Sequence, residues 1–306
     1  MALTGAGAAP AAAPAPVAPR GGARPRARTG LLAAPMAALM LAGFLLPGLL
    51  MFASSLGAGV RPFSLQGELS WAKYAELAGS AYLWRVLGFT LAVSAGVALV
   101  NAVLAYPVAI FLARSRSRLN RLCFLITFTP VAVGMNMVTM GWLIVLGRNG
   151  VINSLLSMAG LTSEPLPLVY GMSAVVIGLA HISFTFMVLP IEAVLRTIDP
   201  ALERAARSLG ASRWRTFVDV TLPLSWEGVA AGMLIVFMQS CGAFVIPLLL
   251  GGSGTVMLPV SIWETMTVAN DRAGGAAIAV ALTLIALAIL AVQLKYFNPL
   301  RDGDGR

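Results

Sequence analysis

Residues 203–223 read ERAARSLGASRWRTFVDVTLP. Just upstream, Asp199-Pro200 is a helix start: Asp accepts N–H bonds as an N-cap and Pro suits the first helical position. Leu202, Ala205, Ala206 and Leu209 then recur at i, i+3, i+4 and i+7, one face of a helix. Arg204 and Arg207 lie off that face. Gly210 ends the helix, because glycine enters the left-handed region at little cost. Ser212 can cap a second helix carrying Trp214, Phe217, Val218 and Val220, and Leu222-Pro223 leads out of it. A long apolar run stands on each side. The stretch is therefore a helical loop at a membrane surface, either a knob for a groove on another protein or an amphipathic segment resting on headgroups.

The rest of the chain explains why a membrane is required. Of 306 residues, 58% are hydrophobic and 11% charged, with mean hydropathy +0.87. A soluble domain carries about 25% charged residues. Apolar runs long enough to cross a bilayer as helix occur at about 32–56, 83–112, 122–146, 170–195, 229–250 and 274–294. They are continuous, whereas a β-barrel needs alternation. The expected fold is an all-α membrane protein with six transmembrane helices. Pro47, Pro107, Pro130, Pro190 and Pro247 fall inside the runs, as kinks in packed membrane helices.

The basic residues orient it. With the N-terminus cytoplasmic, the inner segments hold Arg20, Arg24, Arg26, Arg28, Arg114, Arg116, Arg118, Arg121, Arg196, Arg204, Arg207, Arg213, Arg215, Lys295, Arg301 and Arg306. The outer side keeps Arg61, Lys73, Arg85, Arg148 and Arg272. The outer side is neutral and the whole net charge of +9 is cytoplasmic. That accounts for a pI near 10.5 without a nucleic-acid partner. Residues 1–30, rich in Ala, Pro, Gly and Arg, read as a disordered basic cytoplasmic arm. The first apolar run exceeds the roughly 7–15 residues of a signal-peptide core, so an uncleaved helix is expected. The divisions are then 31–82, first helix and outer loop; 83–294, a five-helix core with the helical loop at 196–228; and 295–306, a cytoplasmic tail.

Between the runs, Trp71, Tyr74, Tyr82 and Trp84 suit an interfacial belt. A short surface helix is expected near Gly150–Leu156, then a return through Glu164-Pro165-Leu166-Pro167. Gly251-Gly252-Ser253-Gly254 interrupts the chain before a segment with Trp263 and Glu264, which could cover the outer mouth of a path. Cys123 and Cys241 lie in apolar runs and read as packed thiols. Two cysteines and one histidine, His181, leave no metal cluster.

The loop resembles the EAA loop of binding-protein-dependent ABC transporter permeases. That pattern is Glu-Ala-Ala, three residues, Gly, nine residues, an aliphatic residue, any residue, then Leu-Pro. Here Ala205, Ala206, Gly210, Val220, Leu222 and Pro223 keep the spacing, and Ala211 follows the glycine. Arg204 stands at the Glu position and Glu203 one residue earlier, about 100° round the helix. Sequence leaves two readings: Glu203 replaces the usual contact, or it does not. LRTIDPALERAARSLGAS and SCGAFVIPLLLGG are similar to segments of spermidine/putrescine-type permeases.

The resemblance implies an ABC type I importer permease fold with cytoplasmic coupling helices, in a bacterial inner membrane. Glu203, Arg204, Ala205, Ala206, Gly210, Ala211, Leu222 and Pro223 would form the loop docking on an ABC ATPase dimer. A second homologous permease and an extracytoplasmic solute-binding protein complete the assembly in the lipid bilayer. The chain itself would bind no cofactor, ATP lying on the ATPase. The residues agree with this last point. A phosphate-binding P-loop needs Gly-Lys-Ser/Thr, and the only lysines are Lys73 after Ala72 and Lys295 after Leu294.

Polar groups inside spans are costly and often functional, though a helix–helix hydrogen bond is their commoner role. Asn136, His181, Gln239, Trp263 and Glu264 are the candidates for the solute path, with Asn101, Ser240 and Glu192 also considered. A polycationic solute would seek carboxylates or aromatic faces. Iron(III), thiamine or an aminophosphonate are alternative solutes. An ion-coupled secondary transporter is the alternative mechanism, with His181 as its one ionisable mid-span candidate. A non-transporting scaffold is a third reading.

Overall fold

A computed structural model of the chain describes residues 26–57, 59–61, 64–66, 69–115 and 117–296. The chain forms two compact units, Met1–Leu49 and Leu50–Arg306. The elements run in order: α1 (Arg26–Ser55), a hairpin of β1 (Gly59–Arg61) and β2 (Ser64–Gln66), α2 (Ala72–Gly79), α3 (Ala81–Arg114), α4 (Arg118–Val133), α5 (Met135–Leu146), α6 (Val151–Met158), α7 (Met172–Thr197), α8 (Pro200–Ser208), α9 (Arg213–Thr216), a π-helical turn (Phe217–Thr221), α10 (Leu222–Leu224), α11 (Trp226–Cys241), α12 (Val245–Leu250), α13 (Leu258–Trp263), a second π-helical turn (Glu264–Val268) and α14 (Arg272–Tyr296). The two short strands pair antiparallel, Val60 facing Leu65.

Helix α1 starts at Arg26, inside the segment 1–30 expected to be an arm, because Arg26–Thr29 are tolerable helix formers leading into Leu31-Leu32. The arm's first 25 residues, and the tail after Tyr296, lie outside the described residues. Among the described residues, four helices are each long and apolar enough to span a bilayer, and up to six spans result if each bent pair of helices counts as one.

One bent pair corrects the expectation of an unbroken third run; the other joins Arg213–Leu224 to α11 at 65°. The third run is two helices, with α4 turned 102° from the following segment Met135–Met158. The cause is Gly134, with φ +86° and ψ 148°, a conformation open almost only to glycine. The fifth run stops at Cys241 and restarts at Val245. The surface helix is present as α6. Asn153 holds it: Nδ2 donates to Gly147 O (3.0 Å) and Leu166 O (3.1 Å), and Leu166 N donates to Oδ1 (2.9 Å).

The core of the larger unit lies where α3, α7 and α11 meet, through Val93, Val97, Ala105, Ala109, Leu179, Met187, Ile191, Leu195, Val229 and Val236. Helices α7 and α11 approach closely because Gly228 and Gly232 are one turn apart. A Cβ on Gly228 would sit 2.7 Å from Pro190 O, and one on Gly232 2.7 Å from Met187 Sδ. Small residues at i and i+4 let membrane helices pack backbone to backbone. A second apolar cluster, Val86, Leu258 and Ile278, joins α3, α13 and α14. Beside it Leu258 N donates to Thr90 Oγ1, which donates to Val86 O.

Candidate functional site

The loop between α7 and α11 forms both caps read from sequence. Asp199 Oδ1 accepts from Ala201 N at 2.8 Å, with Pro200 as first helical residue. Helix α8 ends at Leu209–Gly210, where Gly210 has φ +89° and Ala211 N returns to Ala206 O at 3.1 Å. Ser212 Oγ accepts from Arg215 N at 3.2 Å to start α9. The second helix is not uniform. From Phe217 to Thr221 it widens, and Leu222 N reaches Phe217 O, five residues back. Pro223 supplies the reason: it has no N–H for the Asp219 carbonyl and its ring would press on it, and a wider turn accommodates both.

The apolar face of α8 is uncovered. Leu202 and Leu209 are exposed, Leu209 to 90%, and Ala205 beside them is exposed. Trp214 on α9 is 73% exposed. Arg204, Arg207 and Arg213 are exposed too, with no ion-pair partner among the described residues.

Glu203 faces the other way. Its Oε1 accepts from Arg114 Nη2 at 2.9 Å and from Thr221 Oγ1 at 3.3 Å. Arg114 also donates Nη1 to Ile198 O at 3.0 Å. A second arginine ties the same corner: Arg196 holds Glu192 Oε1 through Nε (2.9 Å) and Nη2 (2.6 Å), and Nη2 approaches Leu112 O at 3.4 Å. Nearby, Tyr106 OH bonds Ser225 Oγ at 2.5 Å and stands edge-on to Phe217. The C-terminal part of α3 thus anchors both ends of the loop. Sequence reading treated Arg114 and Arg196 as topology charges and passed over Tyr106 and Ser225; charge pattern cannot say which arginine turns inward.

The five path candidates do not gather at one place. His181 is exposed in an apolar groove of about 550 Å³ between α4, α5 and α7, where it accepts from Trp142 Nε1 at 2.9 Å. Asn136 is exposed in the first turn of α5. Gln239 is half-buried, its Oε1 without a hydrogen-bond partner. Trp263 packs on Phe244, ring centres 6.1 Å apart, and Glu264 opens the second π-helical turn, half-buried. Of the other buried polar groups, Asn101 Nδ2 donates to Ser183 Oγ, a bond between α3 and α7, and Glu192 is closed off by Arg196.

Residues 105–301, which include the whole loop, match the family described as "Binding-protein-dependent transport system inner membrane component". The chain belongs to this family. It is a binding-protein-dependent permease, a multi-pass inner-membrane subunit of an ABC importer. This permease is 32% identical over 212 residues to the spermidine/putrescine transport system permease protein PotB of Salmonella typhimurium, covering 69% of this chain and 74% of that one. It is 27% identical to the protein of the same name from Haemophilus influenzae over 255 residues, 82% of this chain and 87% of that one. Its fold is similar to a chain of a bacterial ABC transporter involved in the import of the acidic polysaccharide alginate. The TM-score is 0.71 at 18% identity, over 90% of this chain and 97% of that one. The resemblance of its loop to the EAA pattern and the expected ABC type I importer fold agree with these likenesses.

Proposed function

We propose that this permease forms one half of the transmembrane path of a polyamine importer. Its solute is of the spermidine/putrescine class, delivered by an extracytoplasmic binding protein. The observation that carries the reading is the 32% identity to spermidine/putrescine permeases over 74% of their length. A second, homologous permease forms the other half. Both termini and the α8–α9 loop face the cytoplasm.

The loop is the docking element for an ABC ATPase dimer. Exposed Leu202, Ala205, Leu209 and Trp214 offer an apolar surface for a groove, and Ala205 and Ala206 allow close approach. Gly210, Ala211, Leu222 and Pro223 set the angle between the two short helices. ATP is hydrolysed on the ATPase, and this chain contributes no cofactor site. Closure of the ATPases would move α8, and the motion would pass to α3 and α7 and switch the path from outward- to inward-facing.

Asn136, His181, Gln239, Trp263 and Glu264 are proposed to contact the moving solute at successive depths. For a polyamine, Glu264 and the faces of Trp263 and Trp142 are the useful groups, since carboxylates and aromatic rings attract ammonium ions. Glu192 is engaged by Arg196, so the partner permease supplies the remaining acid. The test is reconstitution of the chain with its ATPase, second permease and binding protein in proteoliposomes. ATP-dependent spermidine or putrescine uptake that survives collapse of the proton gradient is expected. Uptake driven by the gradient without ATP would establish the ion-coupled reading instead. Uptake of iron(III), thiamine or an aminophosphonate with no polyamine flux would overturn the solute class.

A further inference from the structure

Two adjacent residues of the loop carry opposite charges and have opposite surroundings. Glu203 is about a fifth exposed at its side chain and holds Arg114 at 2.9 Å, with Thr221 Oγ1 on the same oxygen. Arg204, next in sequence, is exposed and has no ion-pair partner among the described residues. The other two carboxylates between α7 and α11 are engaged as well. Asp199 caps α8, and Asp219 pairs with Arg215 at 3.2 Å. Among the described residues, the unpaired charges on α8 and α9 are therefore Arg204, Arg207 and Arg213, all positive, while Glu227 is exposed without an ion pair further on, in the first turn of α11.

Resting on the reading of this loop as the ATPase-docking element, we propose that the two charges have divided roles. Glu203 acts inside the chain. It is a positioning residue that braces α8 to α3 through Arg114. The charge presented to the ATPase is that of Arg204, and the cleft that receives α8 carries a carboxylate opposite it.

The geometry makes the brace a two-point contact. Arg114 binds the Glu203 side chain with one guanidinium nitrogen and the Ile198 carbonyl with another, at the junction of α7 and α8. A planar guanidinium fixes orientation when two of its donors are engaged at once. Helix α8 is then held to the end of α3 in both position and angle, and a push on α8 would reach α3 directly. A single flexible bond would let α8 pivot and lose the stroke. Arg204 has the complementary arrangement: a free, hydrated cation beside apolar side chains. On entering a cleft such a charge loses water and needs an acceptor, or docking is penalised.

The experiment uses the full chain in its complex with ATPase and second permease, reconstituted in proteoliposomes with the binding protein and spermidine. It compares Glu203→Gln, Arg114→Gln, the double variant, Arg204→Glu and Arg204→Lys. Two quantities are read: ATPase retained on purification at fixed salt, and ATP hydrolysed per solute imported. Glu203→Gln and Arg114→Gln should each keep the ATPase bound and raise ATP use per solute about tenfold. The double variant should be no worse than either single one, because residues sharing one interaction are not additive. The swapped pair Arg114→Glu with Glu203→Arg should regain much of the coupling and guards against simple misfolding. Arg204→Glu should lower ATPase retention at least about tenfold, as expected when one side of a desolvated charge pair is reversed, and Arg204→Lys should largely keep it. Release of the ATPase by Glu203→Gln but not by Arg114→Gln would overturn the brace, as would additive losses in the double variant. Wild-type retention in Arg204→Glu would overturn the acidic cleft. A native chain that retains no ATPase at all would sink the docking reading itself, and the proposal with it.

Discussion

The indole N–H of Trp142 points at Nδ1 of His181 across 2.9 Å, and the rings meet edge to face. Indole can only donate, so Nδ1 is the unprotonated nitrogen and the imidazole proton sits on Nε2. His181 is then a neutral donor facing the groove between α4, α5 and α7. A proton carrier would have to load Nδ1 and break this bond in each cycle. His181→Gln, which keeps a donor, is expected to retain most uptake. His181→Phe should raise KM severalfold while leaving ATPase retention unchanged, consistent with the loss of about one hydrogen bond. Trp142→Phe should do the same through misorientation of the imidazole. Uptake kinetics in proteoliposomes at two external pH values check this. A wild-type rate that follows the proton gradient would contradict it.

Lys73 joins α2 to the start of α14, its Nζ 2.7 Å from Asp271 Oδ2 and 3.2 Å from Glu76 Oε2. The hydrogen bond from Lys73, with a second from Gly274 N–H, holds the Asp271 carboxyl below its ordinary value of 3.8. The bond to Asp271 likewise raises the Lys73 ammonium above 10.5. The carboxylate's contribution is present above its unfolded pKa and lost as pH falls through the lowered one. The lysine's is present below its unfolded pKa and lost as pH rises through the raised one. The link is therefore flat across neutrality and fails first in acid, below the usual carboxylate range. Both partners are about a third exposed, so the pair contributes at most about 1 kcal/mol. A spin label at Ala75→Cys should show unchanged mobility between about pH 5 and 8. Across that range it should be more mobile in Asp271→Asn. Equal mobility in the two proteins would dismiss the link as incidental.

Asn153 is buried and makes three hydrogen bonds to the backbone on either side of α6. Asn153→Ala leaves Gly147 O, Leu166 O and Leu166 N without those partners. Gly147 O and Leu166 O keep the bonds from Gly150 N and Leu168 N, so the cost of about 1–3 kcal/mol comes from the stranded Leu166 N–H, seen as a lower thermal midpoint in detergent. Asn153→Asp keeps the bond from Leu166 N but sets a buried carboxylate oxygen against Gly147 O and Leu166 O, and should lower the midpoint at least as far as Asn153→Ala. A midpoint unaltered in Asn153→Ala would show that water replaces the side chain.

What the sequence disclosed and what it did not divide along physical lines. Helix periodicity, the Asp199 and Ser212 caps and the Gly210 stop depend on neighbours within a few residues, and the structure forms all of them. The membrane class follows from hydropathy summed over about 20 residues. Gly134 was legible only as one glycine among 31, since inside an apolar run nothing local marks a glycine that takes a positive φ, as the helix stop marks Gly210. The Arg114–Glu203 contact spans 89 positions and Tyr106–Ser225 spans 119, and no short window carries such pairings. Polarity inside a span singles out His181 in the sequence. Its partner Trp142 was hidden because an indole in an apolar run looks like packing.

Gly134 offers the sharpest test of the broken span. Its φ of +86° with ψ 148° lies where side chains are excluded by their own backbone, yet a Cβ there would meet no other atom within 4 Å. Gly134→Ala therefore probes backbone conformation without a packing clash. Keeping the native turn with alanine should cost about 1–3 kcal/mol, and the alternative is for α4 and α5 to realign toward one helix. Realignment would move Trp142 and close the groove in front of His181. Uptake should fall more than about tenfold, the factor that each 1.36 kcal/mol represents, while ATPase retention stays at the native level because the α8–α9 loop is untouched. Gly210→Ala, strained at φ +89°, should show the opposite pattern, with ATPase retention lost first. If both variants lost the ATPase equally, the bend at Gly134 would be a general folding requirement and not a feature of the solute path.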